Sequence, residues 1–162
     1  MNDEQAVSPV IAVILMVAIT VVLAAVLYVW ASSFLGGTTK NAPTGSMIAS
    51  EDGSGVWTIQ IVKLNPQVSV NSVHWYLLDV QGNTKTDGLV SDVYGYYSGQ
   101  GKAVVFIDND FNGKLSPGDK FEVHPGEADS DLASVSDVTD YSFRMKFEPT
   151  GDVIGYDIGL QS

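Results

Sequence analysis

Residues Val7 to Leu35 read VSPVIAVILMVAITVVLAAVLYVWASSFL. No charge occurs from Gln5 to Thr39, and an uncharged apolar run longer than about 18 residues is a candidate membrane-crossing helix. Ser8 suits the N-cap, and Pro9 suits the first helical position, where a missing N–H costs nothing. Gly36-Gly37 supplies a stop, because glycine tolerates the left-handed conformation that ends helices. From Pro9 to Leu35 such a helix spans roughly 40 Å at 1.5 Å per residue. It overruns a bilayer core by about a turn and a half. Tyr28 and Trp30 then stand about 30 Å from Pro9, where aromatic rings anchor at the far interface.

This helix has no polar face, so it must be surrounded by lipid or by other protein. Ala18, Ala25 and Ser32 recur at a spacing of seven, as do Ala24 and Ala31. These small residues form a stripe along which helices can approach closely, without a GxxxG pair. Periodicity leaves a single-pass anchor and a helix buried in a protein bundle equally open. A secretory signal peptide fits poorly, since the run is about twice a 7–15-residue h-region and no basic segment precedes it. Asp3 and Glu4 precede the run, and Lys40 is the first basic residue after it. Taken literally, the positive-inside rule therefore places the N-terminus outside.

The 162-residue chain has room for one globular domain beside this helix. It carries 8 basic and 19 acidic residues, a net charge of −11, which excludes the electrostatic footprint of a nucleic-acid binder. Cysteine is absent, which removes disulfides, thiol catalysis and Cys-ligated zinc. Core packing, an ion or assembly must stabilise the domain instead.

The segment Ala6 to Thr20, AVSPVIAVILMVAIT, resembles the N-terminal signature of archaeal type IV pilins. The resemblance implies a leader, residues 1–6, removed by a prepilin peptidase on the cytoplasmic side of the membrane. It also implies that pilus assembly machinery draws helix 7–35 from the membrane into the centre of a homopolymeric filament. The polar domain then lies outside, at the cell surface. Cleavage between Ala6 and Val7 and cleavage before Gln5 both fit, and the leader departs from the family pattern in having no basic residue near the cut.

Residues 36–50, rich in Gly, Thr and Ser, read as a flexible joint. Its hydroxyls offer O-glycosylation sites, whereas no Asn-X-Ser/Thr sequon occurs in the chain. An acidic outer domain follows over 51–162. Strand signals fall at Val56–Leu64, with Trp57, Ile59 and Ile61 on one face, then at Val73–Val80, Leu89–Tyr97 and Ala103–Ile107. Further signals fall at Lys120–Val123, Tyr141–Glu148 and Val153–Leu160, while Glu127–Asp140 reads as a long surface loop. The fold class is therefore α+β: an apolar helix followed by a mainly antiparallel, immunoglobulin-like β-sandwich.

One stretch carries a chemical motif. Asp108-Asn109-Asp110-Phe111-Asn112-Gly113-Lys114-Leu115-Ser116-Pro117-Gly118-Asp119 places oxygen ligands with EF-hand spacing. Asp108, Asp110, Asn112, Ser116 and Asp119 offer side chains, and Lys114 its backbone carbonyl. Gly113 falls at the sharp turn, and Leu115 is the apolar residue that pins the loop to a core. Hard oxygen donors suit a structural Ca²⁺. Strand-like flanks place the loop in a β-hairpin rather than between helices.

Catalytic signatures are missing, with no H-E-x-x-H, G-x-S-x-G, phosphate loop or dinucleotide fingerprint. His74 and His124 read as surface or half-buried side chains of strands, and Tyr94-Gly95-Tyr96-Tyr97 as an aromatic strand packed on the core. The functional expectation is a structural filament subunit, with attachment a property of the fibre. The alternative is a membrane-anchored binding module that displays a calcium-stabilised sandwich to a polymer or sugar.

Overall fold

A computed structural model describes residues 9–35, 41–96, 100–128 and 130–161. Two compact units divide the chain near residue 39. The first contains helix α1, Pro9–Leu35, of 27 residues. Every residue from Pro9 to Val29 is exposed. Thr20 Oγ1 donates to the carbonyl of Val17 at 2.9 Å, and Tyr28 carries the other hydroxyl of that stretch. Thr20 thereby adds no unsatisfied polar group to the apolar surface.

The second unit is built from eleven strands: β1 Thr44–Glu51, β2 Trp57–Asn65, β3 Val68–Ser69, β4 Val73–Leu78, β5 Thr84–Leu89, β6 Val104–Ile107, β7 Lys114–Leu115, β8 Lys120–Val123, β9 Ser142–Phe147, β10 Asp152–Val153 and β11 Ile158–Gly159. One sheet runs β1-β2-β8-β6, and a second runs β10-β9-β4-β5 with β11 also on β9. All the pairings are antiparallel. Read in chain order, the arrangement is that of an immunoglobulin-like sandwich, with the first, second, fifth and sixth principal strands in one sheet.

Alternation explains the layers. In β2, Trp57, Ile59 and Ile61 point inward, as do Phe121 and Val123 in β8. From the other sheet come Trp75 and Leu77 of β4 and Phe143, Met145 and Phe147 of β9. Phe121 joins the layers, its ring centroid 4.9 Å from both Phe106 and Phe143. Trp75 stacks parallel to Phe143 of the neighbouring strand at 6.4 Å.

Several strand boundaries differ from expectation. Residues 44–50, read as part of the flexible joint, form most of β1. Met47 and Ala49 pack on the core, and the small polar residues between them hide the strand pattern. The expected strand Leu89–Tyr97 is not one. The strand is β5, ending at Leu89, and the chain then turns through a 3₁₀ segment at Val90–Asp92 that buries Val90. Beyond it Tyr94 makes an isolated parallel bridge to Phe106, and Tyr97 lies outside the described residues. Val153–Leu160 is broken into β10 and β11 around Gly155, whose φ of 74° suits glycine. Among its described residues the segment Glu127–Asp140 contains no strand or helix, yet Leu132 and Val138 are fully buried. It is an ordered cover on the core rather than a purely surface loop.

Candidate functional site

Two regions hold the residues singled out from the sequence. On α1, Ala18, Ala24 and Ala25 lie in the exposed stretch, and Ala18 sits in a shallow hollow lined by Leu15, Ile19, Val22 and Leu23. A small side chain between long ones makes such a hollow, which a neighbouring helix can fill. Ala31 and Ser32 belong to the helical backbone of α1. Gln5, Ala6, Val7 and Ser8 lie outside the described residues. The stretch Pro9–Val29 is long and apolar enough to cross a membrane.

In the outer domain, the loop between β6 and β8 folds its carboxylates together. Oxygens of Asp108, Asp110 and Asp119 all lie within 4.8 Å of one another. Asp108, Ser116 and Asp119 are all buried, while Asp110 is exposed. Ser116 Oγ lies 3.1 Å from Asp110 Oδ2 and 2.9 Å from Asp119 Oδ2. One hydroxyl proton serves only one of these acceptors at a time. Among the described residues, no Lys or Arg forms an ion pair with any of the three carboxylates. This negative charge is compensated only by N–H and O–H dipoles, an arrangement that a hard cation would complete.

Those dipoles are well placed. Gly113 N–H donates to Asp108 Oδ2 at 2.8 Å, Asn109 N–H to Asp119 Oδ1 at 2.9 Å and Ser116 N–H to Asp119 Oδ2 at 2.7 Å. Burial pushes the Asp119 carboxyl above its ordinary range, and the charge of Asp108 adds to that, while the Asn109 and Ser116 donors oppose it. Burial acts in the same direction on Asp108, but the donors led by Gly113 N–H hold its carboxyl below the ordinary value.

The remaining predicted ligands have different surroundings. Asn112 donates from Nδ2 to Asp110 Oδ2 at 2.7 Å and accepts from Lys114 N–H through Oδ1 at 2.7 Å. Lys114 lies in β7, which pairs with β3 through Ser69, and its side chain is exposed. The two-residue ribbon β3–β7 thus staples the loop's exit, with Leu115 fully buried beneath it. Gly113 has a φ of 70°, the turn conformation that its motif position demands.

Two participants escape the motif reading. Asn109 braces the loop, since its side chain also donates to the carbonyl of Gly118. Tyr94 donates its hydroxyl to Asp108 Oδ2 at 3.2 Å, from a segment taken for a core strand. Its ring is partly exposed, so alternation around it carries no signal of this polar role. Phe111 is 87% exposed at the loop's tip.

The histidines are structural neighbours of carboxylates. His74 is half-buried between Asp87 Oδ2, 2.7 Å from Nε2, and Glu148 Oε1, 3.2 Å from Nδ1, and stacks on Tyr76. His124 is buried, with Nε2 3.6 Å from Glu122 Oε2.

Comparison with known proteins places the N-terminal features. The family model described as archaeal type IV pilin, N-terminal, matches residues 5–46. No match is found among curated proteins. The matched span takes in α1 and reaches the start of β1. Over residues 5–46, then, the chain is similar to the N-terminal segment of the archaeal type IV pilin family.

Proposed function

We propose that this protein is a structural subunit of an extracellular type IV pilus-like filament and is not an enzyme. The observation that carries the reading is the uncharged helix α1, exposed on every face from Pro9 to Val29 within the segment that matches the pilin family. Burial of apolar surface is worth about 25 cal/mol per Å², so such a helix is stable in lipid or among other helices and not in water. Without charge, and with Thr20 Oγ1 bonded within the helix, it passes from one to the other with little polar surface to desolvate.

In this reading the subunit waits in the cytoplasmic membrane, loses a leader ending at Ala6 or just before Gln5, and polymerises through α1. Prepilin peptidase and the pilus assembly machinery are its partners. The small residues Ala18, Ala25 and Ser32, with Ala24 and Ala31, let neighbouring copies pack closely in the filament core. The outer domain, net acidic, forms a hydrated sheath, and attachment to surfaces is the role of the assembled fibre.

The loop 108–119 binds Ca²⁺ as a structural ion in this reading. Asp108, Asp110 and Asp119 supply charge, Asn112 and Ser116 neutral oxygens, and Lys114 its carbonyl. The clustering of three carboxylates without a paired cationic side chain supports it. In a domain without cysteine, the ion ties a long hairpin connection to the sandwich.

A cryo-EM map of native surface filaments, with the intact mass of their subunit, tests these statements. The expected result is a core of packed α1 helices, a mass lacking the leader and density between Asp108 and Asp119. Dispersed monomers in the membrane, with no fibre containing this chain, would overturn the filament reading.

A further inference from the structure

Beside the paired strands β4 and β5, away from the 108–119 loop, lies an open cavity of about 260 Å³. Trp75, Asp87, Gly88, Asp92, Lys102 and Asp131 are among its walls. Gly88 is the odd residue. It sits in β5 directly opposite Trp75 and does not have the positive φ that favours glycine. A Cβ there would meet the Trp75 ring at 3.4–3.6 Å, an ordinary contact. Neither backbone nor packing demands glycine, although glycine weakens a strand interior. Besides bulges and bends, a strand glycine is found where a ligand approaches the backbone closely, and the register shift of this pairing lies at Leu77/Leu78, away from Gly88.

The indole edge beside Gly88 carries a second anomaly. Trp75 is 4% exposed, and among the described residues its Nε1 has no hydrogen-bond partner. A buried indole N–H ordinarily finds an acceptor. Around the cavity, three carboxylates face one ammonium, that of Lys102, which lies over the Tyr96 ring at 5.0 Å. Thr86 Oγ1 donates to Asp131 Oδ2 at 2.8 Å, and His74 Nε2 lies 2.7 Å from Asp87 Oδ2. Among the described residues no donor meets Oδ1 of Asp87 or of Asp131, and each can accept from a ligand.

The excess of carboxylates repels an anion, and a cationic amine cannot accept from the indole N–H. A hydroxyl does both, accepting from N–H and donating to carboxylate. The volume lies just under the range of about 300–1,000 Å³ typical of drug-sized ligands, which limits the occupant to a small ring. We propose that this cavity binds one neutral sugar ring, seated in the space left by Gly88, with hydroxyls bonded to Trp75 Nε1, Asp131 and Asp87. The proposal is independent of filament assembly and of calcium.

The test uses the full chain in phosphocholine micelles, free of glycoside detergents, with ¹⁵N-labelled indoles. Glucose, galactose and mannose are the probes. Of the three tryptophan indole resonances, the one lost in Trp75→Phe is followed. It should shift saturably with at least one hexose, while that of Trp57 stays fixed. Gly88→Val, which fills the space, and Asp131→Asn, at an exposed site, should each weaken binding by about tenfold or more, equivalent to about 1.4 kcal/mol. Should Trp75→Phe fail to fold, the resonance is identified by elimination with Trp30→Phe and Trp57→Phe. No shift with any hexose would overturn the proposal. So would an unchanged titration in Gly88→Val, or the same shift with sodium acetate in place of sugar.

Discussion

Between Pro9 and Val29 every side chain of α1 is exposed, although the segment is almost wholly apolar. In the outer domain the reverse holds: Trp57, Phe121 and Phe143 are buried to within 1%, beneath a surface rich in carboxylates. The sandwich completes its burial within one chain. The helix cannot, and it needs lipid or other copies to do so. The family match, residues 5–46, takes in this helix.

The comparison breaks most sharply at Ala25. Ala25→Arg should abolish fibres entirely, because an arginine at a helix centre costs about 2.5–3.5 kcal/mol per copy on insertion scales and disrupts every helix contact. Negative-stain microscopy of cells reads the outcome, and fibres of normal abundance would remove α1 from the filament core. The outer domain should keep its thermal transition in this variant.

The converse change is Phe121→Ala, which removes a ring touching both Phe106 and Phe143. Loss of about 3–5 kcal/mol from the outer domain's unfolding free energy is expected, measured by denaturant titration, with α1 retained in the membrane fraction. A loss below about 1 kcal/mol would mean that the two sheets do not depend on that contact.

Removal of calcium should have a smaller effect. At 100 times its Kd the ion would add about 2.7 kcal/mol, lost on chelation and absent in Asp119→Asn. Calorimetry of the full chain with and without chelator checks this, and an unchanged melting temperature would leave the loop an ion-free turn.

The smallest effect concerns Asp79, whose side chain accepts from the N–H groups of Asn83 and Gln81, each at 2.9 Å, between β4 and β5. The Asn83 N–H leads in holding this carboxyl below its ordinary value of 3.8. Its contribution is therefore present in full above that value and lost as pH falls through the lowered one. NMR titration of the carboxyl should show the depressed midpoint, and Asp79→Asn should remove that pH dependence while leaving α1 untouched.

Much of this was legible from residue order. Uncharged length named α1, alternation placed β2, β4, β8 and β9, and ligand spacing marked the 108–119 loop. The reading failed where local pattern and tertiary role part. β1 carries Ser, Gly and Ala and looks like a joint, yet it is held by pairing with β2. β5, TKTDGL, has little strand propensity and exists because β4 lies beside it. Tyr94 looked like core and donates to Asp108 instead.

The sequence by itself therefore determined the division into an apolar helix and an acidic β-domain, because hydropathy and period are local properties that survive without neighbours. Only the tertiary structure decided which strands pair, that Tyr94 and Asn109 brace the carboxylate loop, and that Gly88 and Trp75 border a cavity. These facts join residues distant in the chain, and their energy exists only once backbone hydrogen bonds and side-chain packing have brought them together.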